Sequence, residues 1–174
     1  MKYFYDTEFI DDGRTIDLIS IGIVCEDGTD YYAVSSEFSE SKLLAHPWLV
    51  DNVWPYLPWR LDRLVGLELD PNSLWVKDRV TIAQEVWEFL TVNGRGEPEL
   101  WAYYAAYDHV ALAQLWGPMT QLPELLPKRT NDLQQEFERQ GLTEKPPTGD
   151  GEHNALAGAR WNLELAHWLG IVNR

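Results

Sequence analysis

Lys2-Tyr3-Phe4-Tyr5-Asp6-Thr7-Glu8 decides how the chain is read. Three consecutive aromatic residues favour an extended backbone within a sheet, and two acids spaced two apart close the run. Side chains alternate along a strand, so Asp6 and Glu8 face the same side. Two carboxylates pointing together repel each other unless a cation lies between them. Hard divalent ions such as Mg²⁺ or Mn²⁺ suit oxygen donors of this kind. An Asp-x-Glu triplet also arises by chance at a solvated strand end, so its meaning depends on what surrounds it.

Working outward, residues 17–24 form a β-branched run followed by the turn-prone Glu26-Asp27-Gly28, and residues 30–35 supply a third strand of an antiparallel meander. Residues 39–59, punctuated by Pro47, Pro55 and Pro58, read as an irregular cap of short helical pieces. Thr81-Ile82-Ala83-Gln84 matches a capping box, which predicts a helix over about 82–92 that Gly94 and Gly96 stop. Residues 99–104 read as a buried strand, 108–116 and 133–140 as helices, and a short strand fits near 128–130. Residues 143–151, rich in Pro, Gly and charge, mark a loop. The last helix spans roughly 154–169, with Leu156, Ala159, Leu163 and Ala166 on one face. Three antiparallel strands followed by alternating helices and strands predict one α/β domain with its ligand crevice near the strand ends.

Composition narrows the partners. A chain of 174 residues can bury a core as a single unit, residues 1–174 forming one domain. Its formal charge of −14 opposes long-range attraction to nucleic acid, so such a substrate must be held locally. Bound cations and aromatic surfaces that stack bases are the two devices left, and nine tryptophans and eight tyrosines supply the second. One cysteine, Cys25, allows no intrachain disulfide and no thiolate zinc cluster, in keeping with a cytoplasmic location. The apolar run at the N-terminus is too short for a signal peptide, and no segment has the length to cross a membrane.

Two further positions join the acid pair. Asp108 follows the strand at 99–104 and opens a helix, where the helix dipole tolerates negative charge; it reads equally as an N-cap. His153 stands in a loop immediately before the final helix, free to reach a bound water or simply solvated.

The order of these positions resembles the DEDDh exonucleases. This ribonuclease H-like group includes oligoribonuclease and ribonuclease T, and within it the likeness is nearest to the small actinobacterial polyadenylate-specific 3′-exoribonucleases. The resemblance spans nearly the whole chain. It implies a ribonuclease H-like mixed sheet, with the first three strands antiparallel and later strands parallel, flanked by helices. It also implies a 3′-5′ exoribonuclease that releases nucleoside 5′-monophosphates from the 3′ end of single-stranded RNA. Asp6, Glu8 and Asp108 would bind two Mg²⁺ or Mn²⁺ ions about 4 Å apart. His153 would take the proton of the attacking water, a task that suits an imidazole near neutral pH. The terminal nucleotide would lie along Thr7, Phe9 and Ile10, with Phe9 or Ile10 as an apolar wedge; both also read as core residues. A homodimer is implied as well.

Two departures stand out. Tyr103 and Tyr104 occupy positions where the family often carries a His-Asn pair. Gly158 occupies the place of a fourth carboxylate, five residues after His153. Glycine is worse than alanine in a helix by roughly 0.5–1 kcal/mol, so stability does not explain it. The explanations are a deliberate inactivating substitution, natural loss of activity, or compensation by Asp150 or Glu152; the reading adopted is a substitution in an active scaffold. Three alternatives stay open: a DNA 3′-exonuclease or short-oligonucleotide hydrolase, a non-catalytic protein that binds RNA ends, and an interaction module using Trp48, Trp54 or Trp59.

Overall fold

The computed structural model describes residues 1–63, 66–91, 97–148 and 153–173. Strands β1 (Lys2–Asp11), β2 (Ile16–Cys25) and β3 (Asp30–Ser35) form the expected antiparallel meander. Short helices α1 (Glu40–Leu44) and α2 (Pro47–Asn52) and a 3₁₀ turn at Trp54–Tyr56 make the cap. A separate hairpin follows, β4 (Trp59–Asp62) with β5 (Gly66–Leu69). The chain then re-enters the main sheet through β6 (Val76–Lys77) and continues as α3 (Arg79–Thr91), β7 (Glu99–Ala102), α4 (Ala106–Ala113), β8 (Asn131–Asp132), α5 (Leu133–Arg139) and α6 (Ala155–Trp168).

The main sheet has the order β6-β3-β2-β1-β7-β8, with β6, β7 and β8 parallel to their neighbours. This is the mixed ribonuclease H-like sheet. Alternation along β1 divides the core. Tyr3 and Tyr5 pack with Ile82, Val86 and Leu90 of α3 and Leu112 of α4. Phe4 points to the other face, against Leu133 and Phe137 of α5 and Leu165 and Ala166 of α6. A third cluster, with Ile10, Ile19, Val34 and Leu43, seats the cap on the sheet. The register between β1 and β2 slips by one residue between Glu8 and Phe9, an irregularity at the point where the site begins.

Several boundaries differ from expectation. The cap of α3 is Asp78, which accepts the Thr81 backbone N–H at 2.8 Å and the Thr81 hydroxyl at 3.0 Å; Thr81 lies inside the first turn. The glycines expected to stop this helix lie outside the described residues. Strand β7 ends at Ala102 because Tyr104 takes a left-handed φ of 54°, turning the chain into α4 two residues before Asp108. The short strand lies at Asn131–Asp132, just beyond residues 128–130. On α6 the buried face runs through Ala155, Ala159, Asn162 and Ala166, so Leu156 and Leu163 fall on its flank. Trp54 of the cap and Trp59 at the start of β4 pack on each other at a tilt, with centroids 3.6 Å apart, and are half-buried rather than free surface aromatics.

Candidate active site

Asp6 and Glu8 lie on the α6 face of β1, as the strand alternation requires. Asp108 comes from the first turn of α4 and meets them at the strand end. It is no N-cap: α4 begins after Ala105 without a side-chain cap. Its Oδ1 instead accepts the Thr7 backbone N–H at 2.8 Å and the Thr7 hydroxyl at 2.6 Å, which clamps the helix to β1 between the other two acids. Thr7 therefore holds a ligand candidate in place through a buried hydrogen-bonded pair.

All three carboxylates line one cavity of about 640 Å³, together with Thr7, Phe9, His153 and Gly158. Burial is the largest force on each acid. It pushes Asp6 well above the ordinary carboxylate range, and the charges of Asp108 and Glu8 add to the effect. Glu8 is pushed up to about 8 by burial and then by Asp108. Asp108 rises only to about 6, because the two hydrogen bonds from Thr7 favour its charged form and oppose its burial.

Helix α6 brings the remaining pieces. Its N-cap, Asn154, accepts the N–H groups of Leu156 and Ala157 and donates to the Tyr32 hydroxyl at 3.4 Å. His153, one residue earlier, meets the Trp48 ring edge to face at 4.8 Å between centroids. Further along, the buried Asn162 donates to the Tyr5 carbonyl at 2.8 Å, fixing the helix beside Asp6. Gly158 faces Asp6 directly: a Cβ there would come within 2.7 Å of Asp6 Cγ and overlap the carboxylate.

Close approach of α6 depends on Gly22. This residue pairs with Asp6 across the sheet, and a Cβ on it would overlap the backbone of Ala155 and Leu156. A glycine within an otherwise β-branched strand is the sequence signal of such a close approach. Asn162, Trp161 and Lys145 also line the cavity, and nothing local in the sequence marks them. Ile10 departs from its expected role as a wedge. Its side chain is 3 % exposed, lies in the core cluster under the cap and does not line the cavity. Phe9 does line it, stacked on Tyr107 at 5.9 Å. Asp150 and Glu152 lie outside the described residues.

Among the described residues, no three His, Cys, Asp or Glu side chains converge on one point as a metal-holding group. Mutual repulsion opposes such convergence, and Thr7 already engages Asp108. The donor chemistry nonetheless fits a hard divalent cation: three oxygen donors whose charges are penalised by burial and by one another, a penalty that a cation would relieve.

No family model matches the chain. Across 98 % of its length it resembles the RNase domain of the yeast Pop2 protein, covering 76 % of that chain with a TM-score of 0.51 at 12 % identity, a likeness of fold alone. Curated relatives say more. The chain is 48 % identical over 163 residues to a 3′-5′ exoribonuclease of Mycobacterium tuberculosis strain CDC 1551 / Oshkosh, covering 94 % of this chain and 89 % of the relative. The same figures hold for the 3′-5′ exoribonuclease of strain ATCC 25618 / H37Rv. The architecture is ribonuclease H-like. The chain belongs to the family of 3′-5′ exoribonucleases.

Proposed function

We propose that this protein is a DEDDh-type 3′-5′ exoribonuclease that requires Mg²⁺ or Mn²⁺ and releases nucleoside 5′-monophosphates from single-stranded RNA, and that Gly158 impairs it. The carrying observation is the meeting of Asp6, Glu8 and Asp108 on one cavity, with position 158 pressed against Asp6. Asp6, Glu8 and Asp108 would hold the metal, which when bound supplies charge neutralisation at the scissile phosphate and a more acidic water. Thr7 keeps Asp108 oriented. His153, at the cavity margin against Trp48, accepts the proton of the attacking water. Phe9 and Trp48 offer rings against which terminal bases stack.

A carboxylate at 158 would complete the acid set beside Asp6 once the Asp6 side chain rotates away from the helix. Gly158→Asp should therefore raise mononucleotide release from labelled single-stranded RNA in Mn²⁺, on the order of 100-fold, the upper range for losing a group that supports a metal site. Matched RNA and DNA strands in the same assay separate a ribonuclease from a deoxyribonuclease. Gly158 itself favours a second reading, a protein that grips RNA ends without cutting them. That reading predicts RNA binding and no cleavage even after Gly158→Asp.

We further infer a homodimer in a reducing cytoplasm. With Trp54 and Trp59 packed on each other, the exposed apolar residues left for association include Leu61, Leu67, Leu74 and Trp75. Light scattering should give twice the chain mass of 20.1 kDa, and a mass of 20.1 kDa would contradict the dimer.

A further inference from the structure

The sheet order divides the cavity into two walls. Helix α6 starts over Gly22 of β2, so His153 and Trp48 stand on the β2 and β3 side of the acids. Toward β7 and α5, Tyr103, which follows β7, meets Trp161 of α6, and Lys145 is hydrogen-bonded to Gln134 of α5; all three line the cavity wall or its edge there. Lys145 is the one Lys or Arg among the described residues that line the cavity.

Its surroundings set it apart. Lys42, Arg60, Lys77, Arg79, Arg139 and Arg160 each pair with a carboxylate. The Lys145 ammonium instead donates to two neutral oxygens, the Tyr103 hydroxyl and Gln134 Oε1, the latter at 2.7 Å. It also lies 4.6 Å from the Tyr103 ring centroid and 4.7 Å from that of Phe137. Neutral oxygens and ring faces fix the position of an ammonium without cancelling its charge. An ammonium has three donors, so among the described residues one remains after these two hydrogen bonds. In a chain of formal charge −14, a cation held in this way on the wall of a cavity is placed to receive an anion.

We propose that Lys145 binds a backbone phosphate of the RNA strand other than the one that is cut. The inference rests on the exoribonuclease reading, which assigns the scissile phosphate to the acids and His153. Lys145 lines the same cavity as the acids and His153, which leaves it open to the strand that leads to the scissile phosphate. Tyr103 and Trp161, edge to face at 5.1 Å, flank the same wall and offer rings to the adjoining base. Lys145 then supplies locally the attraction that the net charge of the chain withholds.

The test is RNA binding by fluorescence anisotropy in Ca²⁺, over a series of KCl concentrations, for the unaltered protein, Lys145→Met and Lys145→Arg. Methionine keeps an apolar stem against Tyr103 and Phe137 and removes the charge together with the ammonium's hydrogen bonds, which Lys145→Arg can retain. Lys145→Met should bind roughly tenfold more weakly, the loss of one charge-assisted hydrogen bond. The slope of log K against log salt should become shallower by about 0.7, the value for one phosphate on a single strand. Lys145→Arg should keep the original slope. One methylphosphonate at a single internal linkage should weaken binding to the unaltered protein and leave Lys145→Met unaffected. An unchanged affinity and slope in Lys145→Met would overturn the proposal, as would equal losses in Met and Arg at an unchanged slope, which indicate a structural pin. Failure of the unaltered protein to bind RNA would instead sink the exoribonuclease reading, and the proposal with it.

Discussion

Asp6 fills the space that a side chain at position 158 would need, so the two positions act as one unit. A residue on a strand and a residue four places into a helix meet here because Gly22 and Asn162 fix the separation between them. His153 carries a different burden, since it lines the cavity and meets Trp48 edge to face. In a Gly158→Asp background, His153→Ala should lower kcat by about 10²–10⁴-fold while KM changes little, the range for a general base. Steady-state kinetics with a short RNA would check this; an effect confined to KM would make His153 a substrate contact.

At the scale of elements, the decisive contact is α6 against β1 and β2. Gly22→Ala should push the start of α6 off the sheet, costing about 1–3 kcal/mol as an overpacked contact and roughly 2–4 °C of Tm per kcal/mol. Because His153 and Asn154 stand at that end of the helix, activity in the Gly158→Asp background should fall as well. A thermal melt unchanged by Gly22→Ala would contradict the close approach. Much of this arrangement was legible beforehand. The aromatic run of β1 and the β-branched run of β2 are legible in the sequence, as are Asp6, Glu8, Asp108 and His153, which line one cavity. What escaped was tertiary. Thr81-Ile82-Ala83-Gln84 has the form of a capping box, yet Asp78 wins because its carboxylate reaches the Thr81 N–H and hydroxyl together. Tyr103 and Tyr104 look like strand residues by propensity, but the chain must turn at Tyr104 to bring Asp108 to Thr7. Lys145 lies in a stretch without periodic pattern, and only folding shows that it faces the acids.

For the whole molecule, the conflict is between a strongly acidic chain and an acidic substrate. Three carboxylates lining one cavity, Glu8 and Asp108 among them buried, make that conflict local and tie stability to pH. Glu8, ordinarily at 4.5, is raised to about 8, and Asp108, ordinarily at 3.8, to about 6. Between the ordinary and raised values the folded state binds more protons than the unfolded state, so stability falls as pH rises. The metal-free protein should therefore lose Tm between about pH 5 and pH 8, and Mg²⁺ or Mn²⁺ should restore more of it at the upper end. Calorimetry with and without metal would show this, and a Tm that rises across the window would contradict it. The central claim, that this cavity is an exonuclease site lacking one acid, is tested most directly by the products formed from end-labelled single-stranded RNA in Mn²⁺ by the protein and by Gly158→Asp. The account predicts slow or no release of mononucleotides from the first and stepwise release from the 3′ end by the second. Equal product formation by both, or none by either, would contradict it.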